Sequence, residues 1–65
     1  MKLYKAKKEG SQIYLKDSDQ MDRYLEKGCD IYEENEDGSN TLIATPEKGY
    51  LVEKPFFPIP QVIRN

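Results

Sequence analysis

The residue types that most often do chemistry are scarce in this chain, and the few present sit where the backbone needs them. There is no histidine and a single cysteine, Cys29, among 65 residues. That removes the commonest general base, the usual zinc sets and any intrachain disulfide. Ser11, Ser18 and Ser39 each fall in a turn or at a helix start, where serine serves the main chain. Carboxylates are plentiful and two could in principle form an acid–base pair. A chain this short offers little cleft in which their pKa values would be driven apart. No glycine-rich phosphate loop follows a predicted strand. Cys29 follows a helix C-terminus and precedes Asp30, the opposite of the helix N-terminus or cationic setting that a reactive cysteine needs, so it reads as a small buried hydrophobe. These residues predict a protein that is not an enzyme and uses no cofactor.

Binding chemistry has more material. Glu33, Asn35, Asp37 and Gly38 match the first, third, fifth and sixth positions of a calcium loop, with Glu in place of the first Asp. The eighth position is Asn40 and the twelfth, which should be a bidentate Glu, is Ala44. Strands rather than helices flank the segment, so it reads as a hairpin loop with no metal ligands. Lys2, Lys5, Lys7, Lys8 and Lys16 gather at the N-terminal end with Tyr4 and Tyr14 among them. Cations interleaved with rings could hold a nucleic-acid backbone and stack its bases. Residues 17–37, however, carry nine Asp and Glu against Arg23 and Lys27, and Arg64 is the only other arginine. An acidic half of this kind repels a phosphate backbone. The same asymmetry fits two charged regions attracting each other within one fold, or a dipolar molecule docking on a charged partner.

The C-terminal segment has a PxxP step, Pro55 to Pro58, but Val52 and Pro60 stand where an SH3 ligand wants a basic residue. Its notable feature is Phe56, Phe57 and Ile59 among prolines. Together with Tyr50 these are the candidate partner-binding residues. The five N-terminal lysines are the candidate nucleic-acid-binding residues of the alternative reading. An apolar extended tail either folds back over its own sheet or docks on another subunit.

The elements that must position these residues are well punctuated. Lys2 to Lys7 alternates, which places Tyr4 and Ala6 on one face of a strand and Leu3, Lys5 and Lys7 on the other. That lysine-rich outer face reads as a guard against edge pairing. A turn at Lys8–Ser11, with Gly10 at positive φ, leads into a second strand over Gln12–Lys16, making a hairpin in which Ile13 and Leu15 face one way and Tyr14 and Lys16 the other. Asp17 or Ser18 then caps a short helix. Asp17 with Gln20 makes a loose capping box, and Met21, Tyr24 and Leu25 form the apolar stripe. Lys27 and Gly28 end it. Cys29–Tyr32 resumes alternation with Cys29 and Ile31 inward, and the polar loop Glu33–Asn40 turns at Asp37-Gly38. Thr41–Thr45 returns beside Cys29–Tyr32 until Pro46 stops it, and Tyr50–Val52 is the candidate for a last short strand. The expected fold is therefore α+β: a small, mainly antiparallel sheet in the order strand, strand, helix, strand, strand, with Tyr50–Val52 the candidate for a further strand. One short helix lies across a face of the sheet, and an extended, proline-rich tail follows. Residues 1–53 form the domain and 54–65 the tail.

A domain of this length buries only roughly 60% of its unfolded surface. With five tyrosines and two phenylalanines its core is thin and its surface aromatic, which suits an interface. The 34% charged content raises disorder as a competitor to folding. No apolar run approaches the ~20 residues of a membrane span, and the N-terminus lacks a signal-peptide core. A cytoplasmic location is expected, and no membrane or small-molecule partner is evident.

The frame Tyr4-Lys5-Ala6-Lys7, Tyr14, Asp17–Gln20 and then Tyr24 through Asn35 resembles small proteins from phages and prophages of Gram-positive bacteria. In those a short hairpin precedes a helix ending in Tyr-x-x-x-Gly-aromatic-Asp-Ile, followed by an acidic turn. They are often encoded near capsid genes, and most have no assigned function. The likeness spans roughly residues 4–44. Cys29 stands where the pattern has an aromatic, and the proline-rich tail lies outside it. The resemblance implies a virion-associated location as a variant of the cytoplasmic one, and no catalytic or binding residues. The function expected from the whole sequence is a non-catalytic protein–protein interaction or structural module, self-associating or bound to another subunit. The alternative is a small regulatory protein that binds nucleic acid, or an enzyme acting on it, through the lysine hairpin.

Overall fold

A computed structural model describes residues 2–57. The elements run β1 (Leu3–Lys8), β2 (Ser11–Tyr14), α1 (Ser18–Glu26), β3 (Asp30–Glu34), β4 (Asn40–Thr45) and β5 (Gly49–Tyr50). The five strands make one antiparallel sheet in the order β2-β1-β3-β4-β5. The helix lies across one face of it against β1 and β3. The α+β class, the antiparallel sheet and the single helix are as the sequence predicts. Boundaries shift by one or two residues. The second strand ends at Tyr14, and Glu33 and Glu34 extend β3 instead of opening the loop. The last strand is Gly49–Tyr50, with Leu51 and Val52 lying beyond it and exposed.

Local chemistry accounts for the helix. Asp17, in extended backbone, accepts the Gln20 N–H on its Oδ1 at 3.0 Å, and the Gln20 Oε1 accepts the Lys16 N–H at 2.7 Å. Two otherwise unpaired donors at the helix entry are thereby satisfied. At the exit, the Gly28 N–H donates to Leu25 O and the Cys29 N–H to Tyr24 O, the Schellman arrangement that needs a left-handed residue between them. Gly28 supplies it at φ 91°, and a Cβ there would sit 3.2 Å from Lys8 Nζ.

The core is Tyr4, Ala6, Leu15, Met21, Cys29, Ile31, Ile43 and Ala44, with Tyr24, Leu25, Tyr50 and Phe57 packed around it. Met21 and Ile31 are its largest fully enclosed side chains. A bulge on β4 enlarges the core: Tyr32 faces Leu42 but Ile31 faces Ala44, leaving Ile43 as the extra residue. Ile43 and Ala44 are both buried as a result. Ile13 lies across from Ala6, so it is on the helix side, yet it is 46% exposed because α1 packs on β1 and β3 instead.

The place of β1 differs from the reading of its lysines as an edge guard. β1 is an interior strand with β2 on one side and β3 on the other. The physical reason is the acidic partner. Lys5 faces Tyr32 and Lys7 faces Asp30 in register, while Lys5 Nζ reaches Glu34 Oε1 at 3.1 Å and Lys2 Nζ reaches Glu33 Oε1 at 3.6 Å. The basic hairpin and the acidic segment neutralise each other within the sheet.

Candidate functional site

Among the described residues two surfaces remain uncovered: the sheet face opposite the helix, and the outer side of the segment after β5. On the open face, the register aligns four side chains in one row across four strands: Tyr14 on β2, Lys5 on β1, Tyr32 on β3 and Leu42 on β4. Lys5 is only 5% exposed although no element among the described residues covers this face. Its ammonium lies 5.7 Å from the Tyr14 ring centroid and donates to Glu34, which also accepts the Tyr14 hydroxyl at 2.8 Å. Lys7 sits 5.1 Å from the centre of the Tyr32 ring. Two tyrosines thus flank a lysine whose charge is met by a carboxylate, a charge-assisted and cation–π cluster. The Tyr14 bond, with Lys5 second, holds the Glu34 carboxyl below the usual carboxylate range, and the same bond pushes the Tyr14 phenol up. Leu3 and Leu42 stand exposed on the same face.

The tail residues divide. Phe57 stacks on Tyr4, with ring centroids 4.4 Å apart and planes 22° apart. Its N–H donates to Ser18 Oγ at 2.6 Å, and its carbonyl accepts the Ser18 N–H at 2.8 Å. Ser18, buried at the first turn of α1, therefore clamps an extended peptide from both sides. Tyr50 is half-buried, and its hydroxyl donates to Asp22 Oδ1 at 2.7 Å while Lys54 Nζ meets Asp22 Oδ2 at 2.6 Å. Lys54 and then Tyr50 hold Asp22 low, and burial, followed by the Asp22 bond, pushes the Tyr50 phenol well above its ordinary value. Phe56 points away, 74% exposed. Ile59 lies outside the described residues. Of the four candidate partner-binding side chains, the structure engages Tyr50 and Phe57 internally and leaves Phe56 outward, while the tail as far as Phe57 folds back on its own domain.

The five lysines are not brought to one surface. Lys5 and Lys7 share the open face, Lys5 being buried. Lys2 and Lys8 lie on the helix side, where Lys8 Nζ donates to the Lys27 carbonyl at the end of α1 at 2.9 Å. Lys16 is exposed in the link to α1. The would-be calcium ligands are also committed. Asn35 Nδ2 donates to Ser39 and Thr41, and Asp37 accepts both the Ser39 N–H and hydroxyl, which keeps its carboxyl low. Among the described residues no three His, Cys, Asp or Glu gather as a metal set, and no helix is long and apolar enough to cross a membrane. A shallow depression of about 410 Å³ between the hairpin turn and the end of α1 is lined by Lys7, Lys8, Glu9, Asp30 and Tyr32. Its mixed charges and wide mouth give no enclosure for a small ligand.

The row of Tyr14, Lys5, Tyr32 and Leu42 escapes sequence reasoning. Alternation placed Lys5 and Tyr32 on outward faces, but only the adjacency of β1 and β3 aligns them. The complementary charges of residues 1–16 and 17–37 were the available signal. No family model, curated protein or solved structure matches this chain.

Proposed function

We propose that this is a non-catalytic interaction module that binds a protein partner on the sheet face opposite the helix. One observation carries the reading: the row of Tyr14, Lys5, Tyr32 and Leu42, flanked by Leu3, forms an aromatic and apolar platform whose charges are already paired. Tyrosine-rich surfaces with internally satisfied charges suit protein contacts, because large rings bury area at small entropic cost and no ion must be stripped of water. Phe56, outward beside the fold-back, extends the apolar surface of the tail. The carboxylates held low, Asp22, Glu34 and Asp37, are each met by donors that favour their ionised form, and Cys29 is buried, which supports a role without catalysis. The likeness to small phage and prophage proteins supports an assembly setting. The dispersal of the lysines favours a protein partner over nucleic acid.

A photoreactive residue at Tyr32 in the full chain, expressed in its native cells, is expected to give one discrete protein adduct. That adduct should be lost with Leu42→Asp and have no counterpart when the probe stands at exposed Glu47. Equal labelling from both positions would overturn the reading. So would tight, steeply salt-dependent binding of a single-stranded polyanion, which would move function to the lysine hairpin.

A further inference from the structure

β2 is an outer strand of the sheet, and its free side can be read at the level of single backbone groups. In an antiparallel ladder, successive residues point their N–H and C=O alternately toward the neighbouring strand and away from it. The Leu15 N–H donates to Tyr4 O at 2.8 Å, in the same register as the pairs of β1 with β2. Leu15 and Ile13 therefore direct their backbone groups at β1, and Gln12 and Tyr14 direct theirs outward. Among the described residues no strand lies on that side. Sheets commonly guard such an edge with a charge, a proline or a bulge. Ser11–Tyr14 has none of these: the sequence is Ser-Gln-Ile-Tyr, the register with β1 is uninterrupted, and all four residues are exposed. The lysines that would guard an edge are on β1, one strand further in. At the other side of the sheet, β5 is only two residues long and presents less backbone.

We propose that β2 of a second copy of this chain occupies this edge, antiparallel, with Ile13 opposite Ile13 on the two-fold axis. The choice of occupant follows from self-complementarity. A two-fold axis perpendicular to the sheet reverses strand direction and keeps the helices of both copies on one side, provided residues of equal parity face each other. The outward groups of Gln12 must also meet the outward groups of the other strand. Setting Gln12 opposite Tyr14, and Tyr14 opposite Gln12, meets both conditions and uses every outward N–H and C=O of the two residues. Centring on Gln12 would instead set Ile13 against Ser11. Centring on Tyr14 would require the Lys16 N–H, which Gln20 Oε1 already takes. In the chosen register the half-exposed Ile13 side chains meet where paired side chains approach most closely. No like charges fall opposite each other between Gly10 and Lys16; Lys16 faces Gly10 of the second copy, and the carboxylates of Glu9 and Asp17 come opposite only beyond the paired residues at each end. So short an edge buries less than the roughly 1,200 Å² of a standard interface, so the dimer is a weak one, to be read at protein concentrations of about 0.1 mM and above, where affinities between micromolar and millimolar register. The inference rests on backbone parity and stands apart from what the open face binds.

Sedimentation velocity on the full chain across that concentration range is expected to show a reversible monomer–dimer equilibrium. Ile13→Lys should abolish it, placing two ammonium groups face to face, without changing the circular dichroism spectrum. Register is read by oxidation of single-cysteine additions, with the wild type and its buried Cys29 as background. Ile13→Cys should form a covalent dimer roughly tenfold faster than Gln12→Cys or Tyr14→Cys, because only position 13 brings equivalent residues within disulfide reach. A wild type that stays monomeric at the highest concentration overturns the proposal. Cross-linking at 12 or 14 as fast as at 13 overturns the register and, with it, the argument for a second copy.

Discussion

Lys5 shows how a single side chain can be buried by neighbours rather than by a layer. Its ammonium is enclosed by Tyr14 and Glu34 on a face that no other described residue covers as a layer. Burying an ammonium is costly unless the partner is present, and removing one member of such a pair is worse than removing both. Glu34→Ala is therefore expected to lower the melting temperature. Lys5→Met keeps the long stem against the rings and takes away the charge, so it should leave stability within about 1 kcal/mol of the wild type. The double variant should recover most of what Glu34→Ala loses. A thermal melt of the three variants reads the pattern, and a double variant less stable than Glu34→Ala alone would mean that the ammonium is not the source of the loss. Nothing in the run Tyr4-Lys5-Ala6-Lys7 distinguishes Lys5 from Lys7. Alternation gives the face of each lysine, and only the strand order gives Lys5 its two rings and its acid.

At the scale of elements, the helix was the most legible part of the chain because each of its signals is local. Asp17, Gln20, Met21, Tyr24, Leu25 and Gly28 act within one or two turns, and each performs the role its spacing implies. Asp17→Ala should cost about 1 kcal/mol through the lost cap. Gly28→Ala should cost at least as much, since alanine at φ 91° is strained and its Cβ meets Lys8 Nζ at 3.2 Å. Urea titrations should show both as lower midpoints with unchanged slopes, and a Gly28→Ala midpoint equal to wild type would contradict the close approach. The order of strands was less legible. The hairpin of β1 with β2 and the pairing of β3 with β4 follow from short turns, but the adjacency of β1 and β3 spans the whole helix. It depends on Lys2, Lys5 and Lys7 finding Glu33, Glu34 and Asp30, a signal visible in the sequence only as charge asymmetry. The lysines consequently suggested a guarded edge, whereas the true edge, β2, is uncharged. The candidate site shares this difficulty: Phe56, Phe57 and Ile59 are legible as apolar residues of a proline-punctuated segment and Tyr50 as an aromatic of a short last strand, while the tyrosine platform needs the sheet to exist first.

The molecule as a whole depends on ion pairs and on the fold-back of the tail, and both can be probed together. Asp22, Glu34 and Asp37 have folded pKa values below their ordinary ones, so each contributes stability that is complete above the unfolded values of 3.8 to 4.5 and is lost as pH falls through the folded ones. Tyr4, Tyr14 and Tyr50 are raised above 10.0, so their contribution is complete below that pH and is lost as pH rises through the folded values. Melting temperature is expected to form a plateau between these limits and to fall on both sides, with phenolate absorbance of the three lagging an unfolded reference. Asp22 ties this dependence to the tail, because its first donor is Lys54. Phe57→Ala should remove the stack on Tyr4 and part of the core boundary, at roughly 1–3 kcal/mol. Phe56→Ala, at the adjacent position but 74% exposed, should stay within about 0.5 kcal/mol. Truncation before Lys54 should lower stability further than Phe57→Ala, since the Ser18 clamp goes as well, and should flatten the acid side of the plateau by freeing Asp22 from Lys54. Equal effects of the two phenylalanine substitutions would show that the fold-back does not hold the domain together, and a truncated chain as stable as the full one would place the tail's contacts outside the energetics of the fold altogether.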